Sequence, residues 1–411
     1  MSYVPSEPDD HYILISADCH AGGNHEQYRE YLDPAWRDEF DAWREKYKNP
    51  WKDLRDTDLR IRSWDDERRD ADQYADGAVG EVLFPNTVPP FYPGFVLFAG
   101  PPKPDQYAHR RAGIHAHNRW LADFCGRRPA QRAGVGQIFL NDIDDAIEDA
   151  TWIKEHGLRG GVLLPQVAPD VDWVKPLYDP EYDRLWAALQ DLDVVVNLHG
   201  GTGSPNYGRY QAAPMLLISE VKFYGVRAFV HMLLSGVFER FPRLRFAITE
   251  VGPSMFPDLL RDLDSVIKNV QAGAIGELKY RSEDALPRTA TEYFHQNVWL
   301  GASFPGPADL AASEIMGEDR FMWGNDYPHD EGTVPFTREH LRQVFSDVDE
   351  PRMRRILGEN AATLYDFDLD ALAPLAAEYG PTVSEIREPL LELPDEPNSA
   401  LLRAAGQGVM A

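Results

Sequence analysis

Apolar positions along most of this chain fall into short runs. Each run is followed by a polar turn and then by a stretch with helical spacing. The first, Ile13-Leu14-Ile15-Ser16-Ala17, leads into Asp18-Cys19-His20 and an Ala21-Gly22-Gly23 turn. Further runs occupy 79–86, 133–140, 160–165, 194–199, 244–250, 297–303 and 320–326. Between them the spacing predicts helices over 106–125, 142–155 (ended by Gly157), 181–192, 214–239 and 257–271, with a closing helix over 351–364. The runs lack the strict apolar/polar alternation of a half-exposed hairpin sheet. Eight buried strands separated by helices predict a parallel sheet closed on itself, an α/β fold of the (β/α)8 TIM-barrel type.

Three stretches break the rhythm. Residues 33–78 are rich in Trp, Asp and Arg (Trp36, Trp43, Trp51, Trp64 and the run Asp65 to Asp70) and hold no second strand, so they read as an insertion after strand one. Thr87 to Pro104 carries Phe91, Tyr92, Phe95 and Phe98, too many aromatics for a plain solvated loop, and reads as a lid or an interface. Beyond Asp366 the chain turns Pro- and Glu-rich, which suits a wrapping arm or a partly disordered tail. The expected organisation is one barrel domain over 1–366, with the insertion at about 33–78, followed by an extension over 367–411.

Length and charge narrow the function. A chain of 411 residues accommodates one barrel with insertions. Lys plus Arg at 41 against Asp plus Glu at 67 gives −26 with no basic block, which argues against nucleic acid or an anionic membrane surface as partner. No apolar run approaches the ~20 residues of a membrane span, and the polar start is unlike a signal peptide, so a cytoplasmic location is expected. Cys19 and Cys125 are too few for a disulfide framework and have no base beside them in sequence.

Chemistry in such barrels sits at the C-terminal ends of the strands. Those ends carry Asp18 and His20, then His199, Glu250 and Asp326. Residues two apart on a strand share a face, so Asp18 and His20 can reach one ion while Cys19 points away. Mixed N/O ligands suit Zn²⁺, Mn²⁺ or Fe²⁺. His329, just after Asp326, orients substrate or stacks under its loop. Glu250 is functional or pairs with an arginine. His231, among Phe229, Leu233 and Leu234, reads as a packing histidine; His25 and His295 are weaker pocket candidates. His109, His115 and His117 fall on one long helix and read as a solvated face. Gly22-Gly23 and Gly200-Gly201-Thr202-Gly203 lack the lysine or spacing of a phosphate cradle and read as tight turns near the substrate.

Taken together, Asp18-x-His20, Asn197-Leu198-His199-Gly200-Gly201, the run from Gly236 through Phe246 to Thr249-Glu250-Val251-Gly252, Gly324-Asn325-Asp326-Tyr327-Pro328-His329 and the late Gly358-Glu359-Asn360-Ala361-Ala362 resemble the amidohydrolase superfamily. The resemblance spans about 12–366 and is to the amidohydrolase-related branch, which includes aminocarboxymuconate semialdehyde decarboxylase and the resorcylate-type decarboxylases. It implies one divalent ion, zinc first with manganese or iron as alternatives, held by Asp18, His20, His199 and Asp326. It also implies a homodimer acting on a small molecule. Two departures stand out: Asp18 where many relatives carry His or Glu, and Glu250 where many decarboxylases carry a proton-handling His. The expected activity is hydrolysis of a small, carbonyl-containing, ring-bearing substrate by a metal-activated water, with Asp326 as acid/base, Glu250 as second acid/base or ligand, and His329 beside them. The alternatives are non-oxidative decarboxylation of an aromatic or unsaturated acid, and an inactive barrel that serves as a binding protein.

Overall fold

Each of the eight apolar runs forms a strand of one parallel sheet. In the computed structural model, which describes residues 10–48, 60–94, 97 and 99–406, these are β1 Leu14–Ala21, β2 Ala78–Pro85, β3 Arg132–Gln137, β4 Gly161–Leu163, β5 Val196–His199, β6 Phe246–Thr249, β7 Val298–Ser303 and β8 Phe321–Gly324. Strands adjacent in sequence are adjacent in the sheet, and every pair is parallel. The chain leaving β8 returns to β1: the Asp326 amide donates to the Asp18 carbonyl at 2.9 Å and the His20 amide to the Tyr327 carbonyl at 2.7 Å. The result is the TIM barrel that the pattern predicts, with Asp18 and His20 inside the last half of β1 rather than after it.

Several strands are shorter than their apolar runs, and the backbone gives the reason. Asp193, Glu250 and Asp326 take left-handed φ values of 51°, 59° and 59°, so the chain turns into β5 late and leaves β6 and β8 abruptly. Side chains alternate as strand geometry requires: Ile15, Val82, Val135 and Met322 fill the interior, while Leu83, Leu198, Ile248 and Leu300 pack outward under the helices. The helix expected over 214–239 breaks at Gly236 (φ 78°) into Ala213–Leu234 and Val237–Arg240. The closing helix contains a wider turn at Arg355–Glu359. That turn presses Gly358 so close to β1 that a Cβ there would lie 2.4 Å from the Ile13 carbonyl oxygen.

Within the described part of 33–77 the chain is helical, with Arg37–Lys46 and Asp66–Asp76 as its main helices. Trp36, Phe40 and Trp43 cluster with Phe91 and anchor the aromatic loop, whereas Trp51, Phe95 and Phe98 lie outside the described residues. Helix Asp66–Asp76 turns a polar face inward: Arg69, Gln73 and Asp76 are buried. The Arg69 guanidinium lies 2.8 Å from Glu81 of β2 and donates to the His20 carbonyl at 2.8 Å, so the insertion braces β1 from outside. Past residue 366, Leu372 and Ala376 of helix Leu369–Tyr379 close the core at the barrel floor. The chain then follows helix Thr337–Phe345 up to the mouth, where helix Ser399–Ala404 docks.

A buried ion pair whose cation is removed leaves an uncompensated charge, which costs about 3–5 kcal/mol. Arg69→Met is therefore expected to lower the urea-unfolding free energy by about this amount, Arg132 at 3.2 Å only partly neutralising Glu81. An unchanged unfolding midpoint would remove the bracing role.

Candidate functional site

The strand ends bring Asp18, His20, His199, Asp326, Glu250 and His329 together. Asp18, His20 and His199 present ligand atoms within 4.8 Å of one another, as do His20, Asp326 and His329. His20 Nε2 lies 3.4 Å from Asp18 Oδ1 and 3.2 Å from Asp326 Oδ1, and His199 Nε2 lies 3.2 Å from Asp18 Oδ1. Two further contacts fix orientation. His199 Nδ1 donates to the Gly200 carbonyl at 2.9 Å and lies 3.2 Å from Glu250 Oε2, while Nε2 faces Asp18. Ser303 Oγ donates to Asp18 Oδ2.

This donor set fits a divalent cation. Both ring nitrogens of His20 and Oδ2 of Asp326 are fully buried without a hydrogen bond, an arrangement that is costly unless something else engages them. Two imidazoles and two carboxylates, in two overlapping groups that share His20, are donors of the expected kind. Cys19, on the opposite face of β1, donates to Asn325 Oδ1 at 3.2 Å, and burial pushes its thiol far up, so it is not a nucleophile.

Exposure divides the six residues. Asp18, His20, His199 and Asp326 have side chains at 0 %, whereas Glu250 and His329 are each 26 % open to the mouth. The first four can only hold something already inside; the other two can meet a molecule that arrives. Glu250 has no arginine partner among the described residues, its neighbour being His199 Nδ1 at 3.2 Å. Desolvation, reinforced by Asp326 and Asp18 against the opposing His199, pushes it up to about 8. His329 sits between acceptors, Asp326 Oδ1 at 2.9 Å and Asn86 Oδ1 at 3.0 Å. Burial opposes its charge, but Asp326 outweighs this and raises it to about 10. For His199, Glu250 and Asp18 likewise overcome burial and raise it to about 9. In Asp18 and Asp326 burial works against ionisation, yet the neighbouring histidines hold both carboxyls below their ordinary range.

Past the ends of β3 to β5, where Thr202 bonds back to the His199 carbonyl, lies a narrow cleft that opens to solvent. Tyr92, Leu97, Phe139, Leu163 and Pro165 form apolar walls, and no charged residue lines it. Gln137 Nε2 and Ser204 Oγ are buried on its surface without partners. The aromatic loop thus supplies one wall through Tyr92, whose hydroxyl donates to Gln137 Oε1 at 3.1 Å.

The remaining histidines lie elsewhere. His25 packs among Phe40, Trp43 and Tyr47, His231 against Tyr178, and His295 lines an outer groove. His109 and His115 lie 2.6 and 2.7 Å from the carboxyl groups of Glu39 and Asp149. His117 is no part of a solvated face: it is fully buried beside Tyr28 and Trp120, because its helix turns that side toward the barrel. Ser303 and Asn86 were not singled out from sequence, although both end apolar runs. A neutral polar residue at a strand end looks like any turn residue, and its partner is visible only in space.

A parallel barrel with an N/O ligand cluster at its mouth defines a class of metal-dependent enzyme scaffold. The chain belongs to the amidohydrolase family, whose sequence model matches residues 40–367. Solved structures agree in fold. The 5-carboxyvanillate decarboxylase from Novosphingobium aromaticivorans, complexed with manganese and 4-hydroxy-3-methoxy-5-nitrobenzoic acid, is 22 % identical with a TM-score of 0.64, covering 86 % of this chain and 96 % of its own. The 2,6-dihydroxybenzoate decarboxylase from Rhizobium is 20 % identical with a TM-score of 0.62, covering 87 % and 99 %. An amidohydrolase from Mycobacterium avium subsp. paratuberculosis is 19 % identical with a TM-score of 0.64, covering 86 % and 98 %.

A ligating imidazole must be neutral. Since His199 keeps its proton up to about pH 9, manganese binding is expected to release about one proton and to strengthen as pH rises toward that value. Calorimetry in buffers of different ionisation enthalpy measures this, and pH-independent affinity between about 6 and 8 would rule His199 out as a ligand. His199→Ala and Asp326→Ala should each deplete the metal found by elemental analysis of the purified protein.

Proposed function

We propose that this protein is a metal-dependent, non-oxidative decarboxylase of a hydroxylated aromatic acid, with Asp18, His20, His199 and Asp326 holding one divalent ion. The observation that carries this reading is the placement of Glu250, a carboxyl at the edge of the mouth, unpaired with any arginine among the described residues and crowded by other carboxylates. In sequence Glu250 tilts the reading toward hydrolysis, as a second base. Burial and the neighbouring carboxylates favour the protonated form of this carboxyl, which suits it to donate a proton rather than to act as a base. The decarboxylases among the structural neighbours support the same choice, and the manganese in one of them favours that ion over zinc.

A divalent ion held by the four residues would act as a Lewis acid toward oxygen substituents of the substrate. The uncharged cleft takes the ring between Tyr92, Phe139 and Leu163, with Gln137 Nε2 and Ser204 Oγ donating to ring substituents. Glu250 gives its proton to the ring carbon that bears the carboxylate. The bond to that carboxylate then breaks, its electron pair returns to the ring and CO₂ leaves. The hydrogen-bonded Asp326–His329 pair, open to the mouth through His329, is the route by which Glu250 regains a proton.

A cytoplasmic homodimer completes the proposal. No helix among the described residues is long and apolar enough to cross a membrane. The exposed Met215, Ile218 and Phe223 of helix Ala213–Leu234 support self-association. Light scattering would show twice the 46.6 kDa chain mass.

Hydroxybenzoates supplied to the manganese-loaded protein should yield CO₂ and the corresponding phenols, with one deuterium at the vacated carbon in D₂O. Glu250→Gln should slow this by about 10²-fold or more with metal content unchanged. Turnover of esters or amides without CO₂ release would return the hydrolase reading.

A further inference from the structure

The mouth of this barrel is a poor place for an anion as it stands. Glu250, Asp326 and Glu331 bring carboxylate oxygens within 4.8 Å of one another, Asp18 lies behind them, and the chain carries −26. Besides the divalent ion proposed above, whose charge the surrounding carboxylates offset, an acid substrate is favoured by a cation that they have not already neutralised.

The C-terminal arm delivers one. Helix Ser399–Ala404 lies outside residues 40–367, the part that matches the family. Its N-cap residue, Asn398, donates to the carbonyls of Gly332 and Thr333 at 2.9 Å each, pinning the helix to the loop that follows Asp326 and His329. Arg403 on this helix stacks its guanidinium 4.0 Å above the ring of Phe304, the residue after Ser303, whose hydroxyl holds Asp18. Nη2 donates to the backbone carbonyl of Glu331 at 3.2 Å, and Nε is buried without a hydrogen bond. Among the described residues no carboxylate pairs with this guanidinium, although Glu331, Asp326, Asp309 and Glu250 all bear on it electrostatically. A stacked, oriented arginine with no carboxylate partner, held at the Glu331 carbonyl and within the field of Asp326 and Glu250, is suited to recognise a carboxylate through paired N–H donors.

We infer that Arg403 binds the carboxylate of the substrate, so that the arm completes the active site. The inference rests on the aromatic-acid reading above. It makes the extension a determinant of which acids are accepted, without a part in holding the metal. Lys222, which approaches Gly252 beyond Glu250 from an exposed helical position, is the competing cation.

The test is calorimetric binding to the full-length, manganese-loaded protein, using hydroxybenzoates and the phenols they become on loss of CO₂. Arg403→Met keeps the aliphatic cover over Phe304 and removes the charge; Arg403→Lys keeps the charge. The expected result is at least tenfold weaker binding of the carboxylated compounds to Arg403→Met. Phenol binding and metal content should stay within twofold, and Arg403→Lys should recover part of the loss. Equal weakening of acids and phenols would mark Arg403 as structural and overturn the inference. So would a loss confined to a Lys222→Met variant, or unchanged acid binding in Arg403→Met. If the unsubstituted protein binds neither class, the aromatic-acid reading fails and the inference falls with it.

Discussion

The hydrogen bonds that close the barrel are made by the residues that form the site. Asp326 donates its amide to the Asp18 carbonyl, and His20 donates to the carbonyl of Tyr327. Joining the last strand to the first therefore sets the spacing between the three side chains. The donor atoms need no separate scaffold, because the ladder that ends the fold also fixes their positions. The reverse face of β1 is held with equal care: Cys19 bonds to Asn325, Asn325 to Gln73, and Arg69 reaches the His20 carbonyl. The insertion is best understood as the outer half of this clamp.

Much of this was legible in the sequence. Apolar runs of strand length separated by helical spacing gave the barrel, since a parallel strand buried on both faces has few ways to hide its pattern. Asp18, His20, His199, Glu250 and Asp326 stood out because charged groups at strand ends are costly without a purpose. The clamp was less visible. Arg69, Gln73 and Asp76 sit in a polar, charge-rich stretch that reads as a solvated helix, and only the fold shows that its polar face turns inward. His117 misled in the same way, since its neighbours His109 and His115 do face outward. Arg403 gave no signal in a short helix of an unremarkable tail; its meaning comes from where the arm ends.

Glu250 shows what composition leaves open. As a letter it is a base or a ligand. In place it is a partly open carboxyl beside buried ones, and its surroundings favour the protonated form. The four residues proposed as ligands are sealed and the two proposed to handle protons are partly open, so the proposal assigns metal retention and proton traffic to different side chains. Only Asp326, hydrogen-bonded to His329, belongs to both groups.

Glu250 and Asp326 share a further property, their left-handed backbone at φ 59°. For residues with a Cβ this conformation costs about 1–3 kcal/mol each, and glycine adopts it freely. Glycine at these two positions would thus relieve the backbone at the expense of two carboxylates to which the proposal gives chemistry. Stability and chemistry pull in opposite directions at these two positions. On the roles proposed above, a lineage relieved of the need for turnover, or a laboratory selection for heat resistance alone, would be drawn toward glycine at both, giving a sturdier barrel with no reaction to perform.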